Sequence, residues 1–376
     1  MRVGILGYGN VGSGVKEVID TVKDKYAIEI VKIFDRPEKK AILKDLYCES
    51  VDDIIYDNSV NVIIEVLGGD EFAYQAIKKA LLNKKHVITS NKEVVSRHLN
   101  EFVTLAHINN VMFLFEAAVG GGIPIVHSLM QNVKINNVNH IYGILNGTTN
   151  FIITQMENGL SFDEALLKAQ QNGFTEADPS ADLEGFDLIR KIAILSDIAY
   201  NTFVDISNIP HIKISSITKE IIEKADFYGY KVKYLAESYR DTDEIYLTVE
   251  PVLIDKNNPL VNVRYEYNAV TFTGDMNGTL QFYGLGAGKL PTASAIISDL
   301  MKIIENEITF DSYFNNRFNI LEYDKREESY FVYTEKEISA DLVLSKDGSF
   351  YLTKKLDGKS IKEIKDNAIF IARVFK

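Results

Sequence analysis

The stretch Gly173-Phe174-Thr175-Glu176-Ala177-Asp178-Pro179, followed by Asp182, Glu184, Asp187 and Lys191, gathers carboxylates around one lysine. Asp187 and Lys191 are four residues apart, so on a helix they share a face. Ile194 and Ile198 continue that stripe, which points the pair inward rather than to water. A buried ammonium beside carboxylates can be tuned for proton transfer. The competing reading is an ordinary surface i,i+4 ion pair. The carboxylates could also hold a divalent cation, but they lack the spacing of an EF-hand loop.

A second constellation is Gly7-Tyr8-Gly9-Asn10-Val11-Gly12, between an apolar run at Arg2 to Leu6 and helical spacing from Gly14 to Val22. That context turns a weak glycine pattern into a dinucleotide fingerprint. The glycines allow a tight turn and close approach of backbone to a pyrophosphate, which the helix N-terminus then attracts. The next apolar run ends in Asp35-Arg36. An acid there would bind the ribose 2′-OH of NAD, and an arginine would accept the 2′-phosphate of NADP. With both adjacent, either cofactor is allowed. Further run ends carry Glu65-Val66-Leu67-Gly68-Gly69, Thr89-Ser90-Asn91-Lys92, and Glu116 before Val119-Gly120-Gly121-Gly122-Ile123-Pro124. All would lie on the ligand side of a parallel sheet.

The elements that position these groups follow from the apolar pattern. Ile28 to Phe34, Val60 to Leu67, His86 to Thr89 and Val111 to Phe115 read as buried strands, with a helix at Glu71 to Leu82. Their alternation predicts an α/β, Rossmann-like doubly wound domain with a parallel sheet. The middle reads as a second α+β domain. A capping box at Ser161 and Glu164 opens one helix and Gly173 closes it. A second helix runs from about Leu183 to Tyr200, followed by β-like runs at Ile245 to Leu253, Val261 to Phe272 and Thr279 to Tyr283. After Gly284-Leu285-Gly286-Ala287-Gly288 comes a helix at Thr292 to Ile304. From about Arg317 a charged α+β tail turns at Lys346-Asp347-Gly348-Ser349.

Composition narrows the function class. The chain has 376 residues, a net charge of −12, one cysteine and six histidines. The acidic balance argues against nucleic acid or an anionic membrane as partner. One cysteine gives no internal disulfide or cysteine metal site. No long apolar run reads as a membrane span, and the first residues lack a signal-peptide layout. A cytoplasmic enzyme acting on a small molecule is the expectation.

With these residues in view, the chain resembles homoserine dehydrogenases from Met1 to about Asn316. The resemblance rests on Gly173 to Lys191, on Asn146-Gly147-Thr148-Thr149-Asn150-Phe151, on Thr89 to Lys92, and on Gly286-Ala287-Gly288 with Thr292-Ala293-Ser294-Ala295. It implies NAD(P)-dependent interconversion of L-aspartate 4-semialdehyde and L-homoserine, on the route to threonine, methionine and isoleucine. It implies Lys191 as proton donor to the carbonyl oxygen, Lys92 as a second site lysine, and Glu176 and Asp187 as carboxylates holding the amino-acid substrate. Gly7, Gly9, Asn10, Val11, Gly12, Asp35, Arg36, Gly68, Thr89, Ser90, Lys92 and Gly286 are then the cofactor-binding set. Glu116, Val119, Gly121 and Ile123 would form a sodium site of one carboxylate and backbone carbonyls. The resemblance further implies a discontinuous nucleotide-binding domain (1–130 and 284–316), a catalytic and dimerisation domain (131–283) and a tail (317–376) that reads as a reduced ACT-like domain. A homodimer or higher homo-oligomer is expected. The tail has no Pro-Gly-Val-Leu-like segment, so control by an amino acid is not. Two rival classes are another nicotinamide enzyme acting on an amino-acid aldehyde or imine, and a non-catalytic NAD(P)-binding regulator. The first would lack the Glu176 to Lys191 constellation, and the second would need no inward lysine.

Overall fold

The apolar runs of the first third become strands β1 (Arg2–Leu6), β2 (Glu29–Phe34), β3 (Tyr47–Cys48), β4 (Val62–Glu65), β5 (His86–Thr89) and β6 (Phe113–Leu114). The computed structural model describes residues 1–175, 178–306, 316–322 and 324–375. In it these strands form one parallel sheet of order β3-β2-β1-β4-β5-β6. That is the doubly wound order, with a topological switch between β1 and β4. Val3, Ile5, Val62, Ile64 and Ile88 are buried, because helices cover such a sheet on both faces. The helices include Asn10–Tyr26, Glu71–Leu82, Lys92–Ile108 and, from far along the chain, Lys289–Ile304. Val15 and Ile19 of the first of these share one core cluster with Ala293, Ile296 and Leu300 of the last. Gly14 makes that contact close, since a Cβ there would meet the Lys289 carbonyl at 2.8 Å. These segments belong to one compact unit, made of Met1–Val138, Ala193–Ile206 and Gly284–Asn316.

The second unit comprises Asn139–Ile192, Ser207–Tyr283 and Arg317–Lys376. Its mixed sheet is built on a long antiparallel pair, β8 (Tyr230–Asp241) and β9 (Glu244–Asp255), in register from Tyr230↔Asp255 to Asp241↔Glu244. β7 (Val138–Ile144), β10 (Tyr267–Gly274) and β11 (Gly278–Leu285) extend it on one side, in the order β11-β10-β7-β8-β9. The strand expected over Val261 to Phe272 begins only at Tyr267, because Pro259–Asn262 is a 3-10 turn. The helix expected from Leu183 begins at Phe186. Gly185, at φ +87°, breaks it from the short helix Ser180–Leu183. β8 was not foreseen: its Lys231, Lys233, Glu237 and Arg240 disguise the alternation.

The tail continues this sheet. A short β12 (Asn319–Ile320) pairs with the start of β9. β13 (Tyr330–Tyr333), β14 (Val343–Asp347), β15 (Phe350–Thr353) and β16 (Phe370–Phe375) follow. β14 and β15 form the expected hairpin around Gly348, which sits at φ +60°. β16 runs parallel to β9 and antiparallel to β13, so it lies inside the sheet. There Arg373, 3% exposed, donates to Glu237 on β8 and, at 3.2 Å, to Glu250 on β9. Arg326 donates to Glu237 at 2.9 Å and to Asp324 at 2.7 Å, and His140 stands 2.7 Å from Glu237. Burial alone would raise the Glu237 carboxyl, but Arg373, His140 and Arg326 hold it well below the usual range. Removing one partner from a buried ion network strands the others. Arg373→Ala is therefore expected to destabilise the protein by about 3–5 kcal/mol, read as a large fall in the thermal unfolding midpoint. A midpoint within a degree or so of the parent would show that the tail network contributes nothing to stability.

Candidate active site

In the second unit the site is assembled at the end of β7. The chain leaves the strand through Leu145 and Asn146 and enters the helix Gly147–Glu157, which Asn146 caps by accepting from the Thr149 N–H at 2.8 Å. Gly147 is needed at this junction, because a Cβ would meet the Glu266 carbonyl at 2.7 Å. The helix Phe186–Tyr200 brings in Asp187 and Lys191, and both are inside: 4% and 7% exposed. Lys191 Nζ donates to Asp187 Oδ2 at 2.8 Å and to the Leu145 carbonyl at 2.6 Å. The inward reading of this pair therefore holds, and the surface ion pair does not.

The Asn146 amide donates to Asp187 Oδ2 at 2.9 Å and to Asp182 Oδ1 at 2.8 Å. Thr175 donates to the other Asp182 oxygen at 3.1 Å, and Thr148 donates to the Phe174 carbonyl at 2.7 Å. Asp182, Asn146, Asp187 and Lys191 thus form one connected polar group. The expected substrate carboxylate Glu176 lies outside the described residues. Gly185 lets the chain turn between Asp182 and Asp187, since a Cβ would sit 2.5 Å from the Tyr234 hydroxyl. Chemically, this is an ammonium held over a carbonyl and a carboxylate, able to give or take a proton in a place shielded from bulk water.

In the first unit, Gly7, Gly9, Asp35, Arg36 and Gly68 line a cleft of about 1050 Å³. Gly7 sits at φ +105°, and a Cβ there would meet the Val66 carbonyl at 2.6 Å. Gly12 is tighter, with the Gly7 carbonyl at 2.1 Å. Gly9 differs: no atom lies within 4 Å of its would-be Cβ, so open space adjoins the helix N-terminus where Asn10 and Val11 begin the first turn. Gly9 offers that helix no side-chain cap. An uncapped N-terminus over open space is the arrangement that receives a phosphate. Asp35 accepts from the Tyr8 N–H and, at 2.7 Å, from the Arg36 N–H. Gly286 is placed elsewhere, packed against Gly121.

Sequence reasoning named Glu65 only as a strand end. It is fully buried at the end of β4, accepting from Thr89 Oγ1 at 2.5 Å and the Leu67 N–H at 2.7 Å. Burial raises its carboxyl despite these bonds. Thr89 in turn accepts from the Asn91 N–H at 2.9 Å, and Asn91 donates to the Gly69 carbonyl at 2.7 Å while capping the helix that Lys92 begins. One ring of hydrogen bonds thus fixes both the Gly68-Gly69 loop and the start of the Lys92 helix; Ser90 lies within it.

Glu116 is also buried. Its oxygens accept from the N–H groups of Val126 and His127 at 2.9 and 2.8 Å. The His127 ring stands 2.9 Å from Glu116 and 2.7 Å from Asp299. Burial would lower this imidazole, but Asp299 and Glu116 hold it up at about 9; burial pushes Asp299 up to about 6. Neither His127 nor Asp299 was singled out from sequence. Asp299 was findable, since it follows the buried Ala295 by four residues and precedes the buried Ile303 by four. Gly120 and Gly121, at φ +77° and +54°, coil the loop from Val119 to Ile123 that follows Glu116.

Residues 124–301 match the family model described as homoserine dehydrogenase, and residues 7–116 match the one described as homoserine dehydrogenase, NAD binding domain. The chain is 38% identical over 317 residues to the homoserine dehydrogenase of Bacillus subtilis, covering 81% of this chain and 73% of that protein. It is 39% identical to that of Synechocystis over the same shares. Among solved structures, a homoserine dehydrogenase from Thiobacillus denitrificans superposes with a TM-score of 0.90 at 29% identity, covering 100% of this chain and 98% of that one. A hyperthermophilic archaeal homoserine dehydrogenase in complex with NADPH gives 0.71 at 25% identity, covering 83% and 99%.

The glycine geometry separates binding from folding. Gly9→Ala is expected to leave thermal stability unchanged yet weaken dinucleotide binding by about tenfold or more, because its methyl enters the open space beside the helix N-terminus. Gly12→Ala is expected to lower stability, since its methyl meets backbone. Calorimetric melting and NADPH fluorescence titration of both variants check this. Unimpaired NADPH binding by Gly9→Ala would remove the pyrophosphate from this loop.

Proposed function

This chain belongs to the homoserine dehydrogenase family of NAD(P)-dependent oxidoreductases, and on that premise we propose that it interconverts L-aspartate 4-semialdehyde and L-homoserine, with Lys191 as the proton-transferring group. The observation that carries this reading is the inward ammonium of Lys191, held by Asp187 and the Leu145 carbonyl. Bound NAD(P)H would supply a hydride to the aldehyde carbon. Negative charge then develops on the aldehyde oxygen. Lys191 stabilises that charge and gives its proton to the oxygen; in the reverse direction it takes the proton from the hydroxyl. The substrate carries an ammonium and a carboxylate of its own. Asp187, together with Glu176, is suited to the ammonium, and Lys92 at its helix start is a second cation for substrate or cofactor.

The cofactor is suited to the first unit through Gly7, Gly9, Asn10, Val11 and Gly12 at the pyrophosphate, Asp35 and Arg36 at the ribose, and Gly68, Thr89 and Ser90 at the neighbouring strand ends; Gly286, on the loop packed against Gly121, lies apart from the cleft lining. A sodium ion or similar monovalent cation suits the loop after Glu116, held by that carboxylate and by backbone oxygens of Val119, Gly121 and Ile123. It would share Glu116 with the His127 ring, and its contribution would be to balance buried charge. We read the tail as a reduced ACT-like domain that completes the sheet of the catalytic and dimerisation domain. The assembly is proposed to be a homodimer or higher homo-oligomer, and the setting cytoplasmic amino-acid biosynthesis. Among the described residues no helix is long and apolar enough to cross a membrane.

Lys191→Ala is expected to lower kcat by about 10²–10⁴-fold in both directions while NADPH still binds. Steady-state assays with homoserine and with the semialdehyde decide it, and a near-parental kcat would remove Lys191 from the chemistry. Asp35 and Arg36 are expected to divide cofactor choice: Arg36→Ala raises KM for NADP⁺ more than for NAD⁺, and Asp35→Ala does the reverse. Equal changes for both cofactors would show that neither side chain reads the 2′ position.

A further inference from the structure

Asn146 has every hydrogen-bonding atom of its side chain committed. Its oxygen faces the Thr149 N–H, which fixes the amide orientation, so its nitrogen must face the carboxylates. Its two N–H bonds go to two different acids, Asp182 and Asp187. The side chain is 5% exposed, so no bulk water competes for these bonds. Two carboxylates sharing one nitrogen are close neighbours, and like charges at such range repel. Lys191 already brings one positive charge to Asp187 Oδ2; a second cation, between the two acids, would relieve the repulsion but would also cancel the negative field that a substrate ammonium needs. A neutral donor with two N–H groups relieves it and leaves the charge in place.

We propose that Asn146 is a positioning residue for the reaction. Its amide holds Asp182 and Asp187 side by side and fixes Asp187 Oδ2, the oxygen to which Lys191 Nζ also donates. The inference rests on the functional reading above and deepens it, because it assigns what holds the two acids of the substrate site in place. The charged groups that face this amide are Asp182 from the short helix Ser180–Leu183, and Asp187 from Phe186–Tyr200 with Lys191 beside it.

The test separates the cap from the bridge. Asn146→Asp keeps the size and the helix-capping oxygen but replaces the two donors with a third carboxylate. At about pH 8 it is expected to lower kcat/KM for homoserine by about 100-fold, chiefly through KM, while the NADPH dissociation constant stays within about twofold. As pH falls, the new carboxyl gains a proton and can donate one bond again. The activity ratio of variant to parent should then rise, by up to about tenfold per pH unit. A purely structural role would not produce that acid rescue. Asn146→Ser also keeps a capping hydroxyl but bridges nothing, and is expected to show the loss without the rescue. It serves equally if Asn146→Asp fails to fold. A homoserine KM near the parent's in both variants, or a loss that does not vary with pH in Asn146→Asp, would overturn the proposal. A parent enzyme inactive on homoserine would overturn the functional reading instead. The amide is then read directly, by NMR of the asparagine-labelled parent: both side-chain hydrogens protected from exchange support the bridge, and rapid exchange of either overturns it.

Discussion

Lys191 is an ammonium inside a protein, and desolvation of such a group is costly unless it is paired and hydrogen-bonded. The second unit meets that demand at several levels. Asp187 supplies the opposite charge one helical turn back, and the Leu145 carbonyl supplies a second acceptor. Leu145 can do so because β7 ends there and the chain turns into a new helix. That turn requires Gly147 to pass close to the Glu266 carbonyl. Asn150, one turn further on, donates to the carbonyls of Val263, Tyr265 and Tyr267, fixing the helix against the start of β10. The helix that carries Asp187 and Lys191 is likewise held at its start by Gly185 against Tyr234. The Asp187–Lys191 pair is thus held in place by backbone packed to contact on both sides of it.

The first unit solves a different problem with the same tools. A dinucleotide is an anion that needs space and N–H groups rather than a paired charge. The loop after β1 gives space only at Gly9 and crowds its neighbours Gly7 and Gly12 against backbone. Next to it, Glu65 is a buried carboxylate whose bonds to Thr89 and the Leu67 N–H are internal to the protein. Its contribution is to shape two loops. Buried acids therefore divide by what they face: Asp187 faces a lysine, whereas Glu65 faces a hydroxyl and a backbone amide.

This division explains what was legible in the sequence. Helical spacing placed Asp187 and Lys191 on an apolar stripe, and burial of that stripe is a local property of one helix. The glycine fingerprint was legible for the same reason: strand, turn and helix are contiguous. Asn146 stood in a recognisable motif, but its bonds to Asp182 and Asp187 span 36 and 41 residues, and no local pattern reports them. His127 with Asp299 is a harder case, because the two come from segments far apart in the chain. The long strand β8 was hidden by a different effect. Lys233 and Glu237 are charged yet fully buried, which defeats any reading that equates charge with exposure.

The tail shows how far such non-local pairing extends. A segment of this size alone would support only a marginal core, and its own cluster is small: Tyr330, Val332, Tyr351, Ile361 and Ile371 are its buried members. What anchors it is shared structure. β16 takes its place beside β9 at Arg373↔Val252 to Phe375↔Ile254, and Arg373 inserts between Glu237 and Glu250. The helix Lys219–Phe227 adds an ion pair from Lys224 to Asp347 of β14, and Tyr228 packs on Phe331. Glu237 and Glu250 are themselves buried in β8 and β9. Without the tail they would be acids in a sheet interior with most of their cationic partners removed, and buried charges tolerate that poorly. The tail is therefore part of the second unit's fold. In the sequence it reads only as a charged tail with short strands, and those charges are what join it to the sheet.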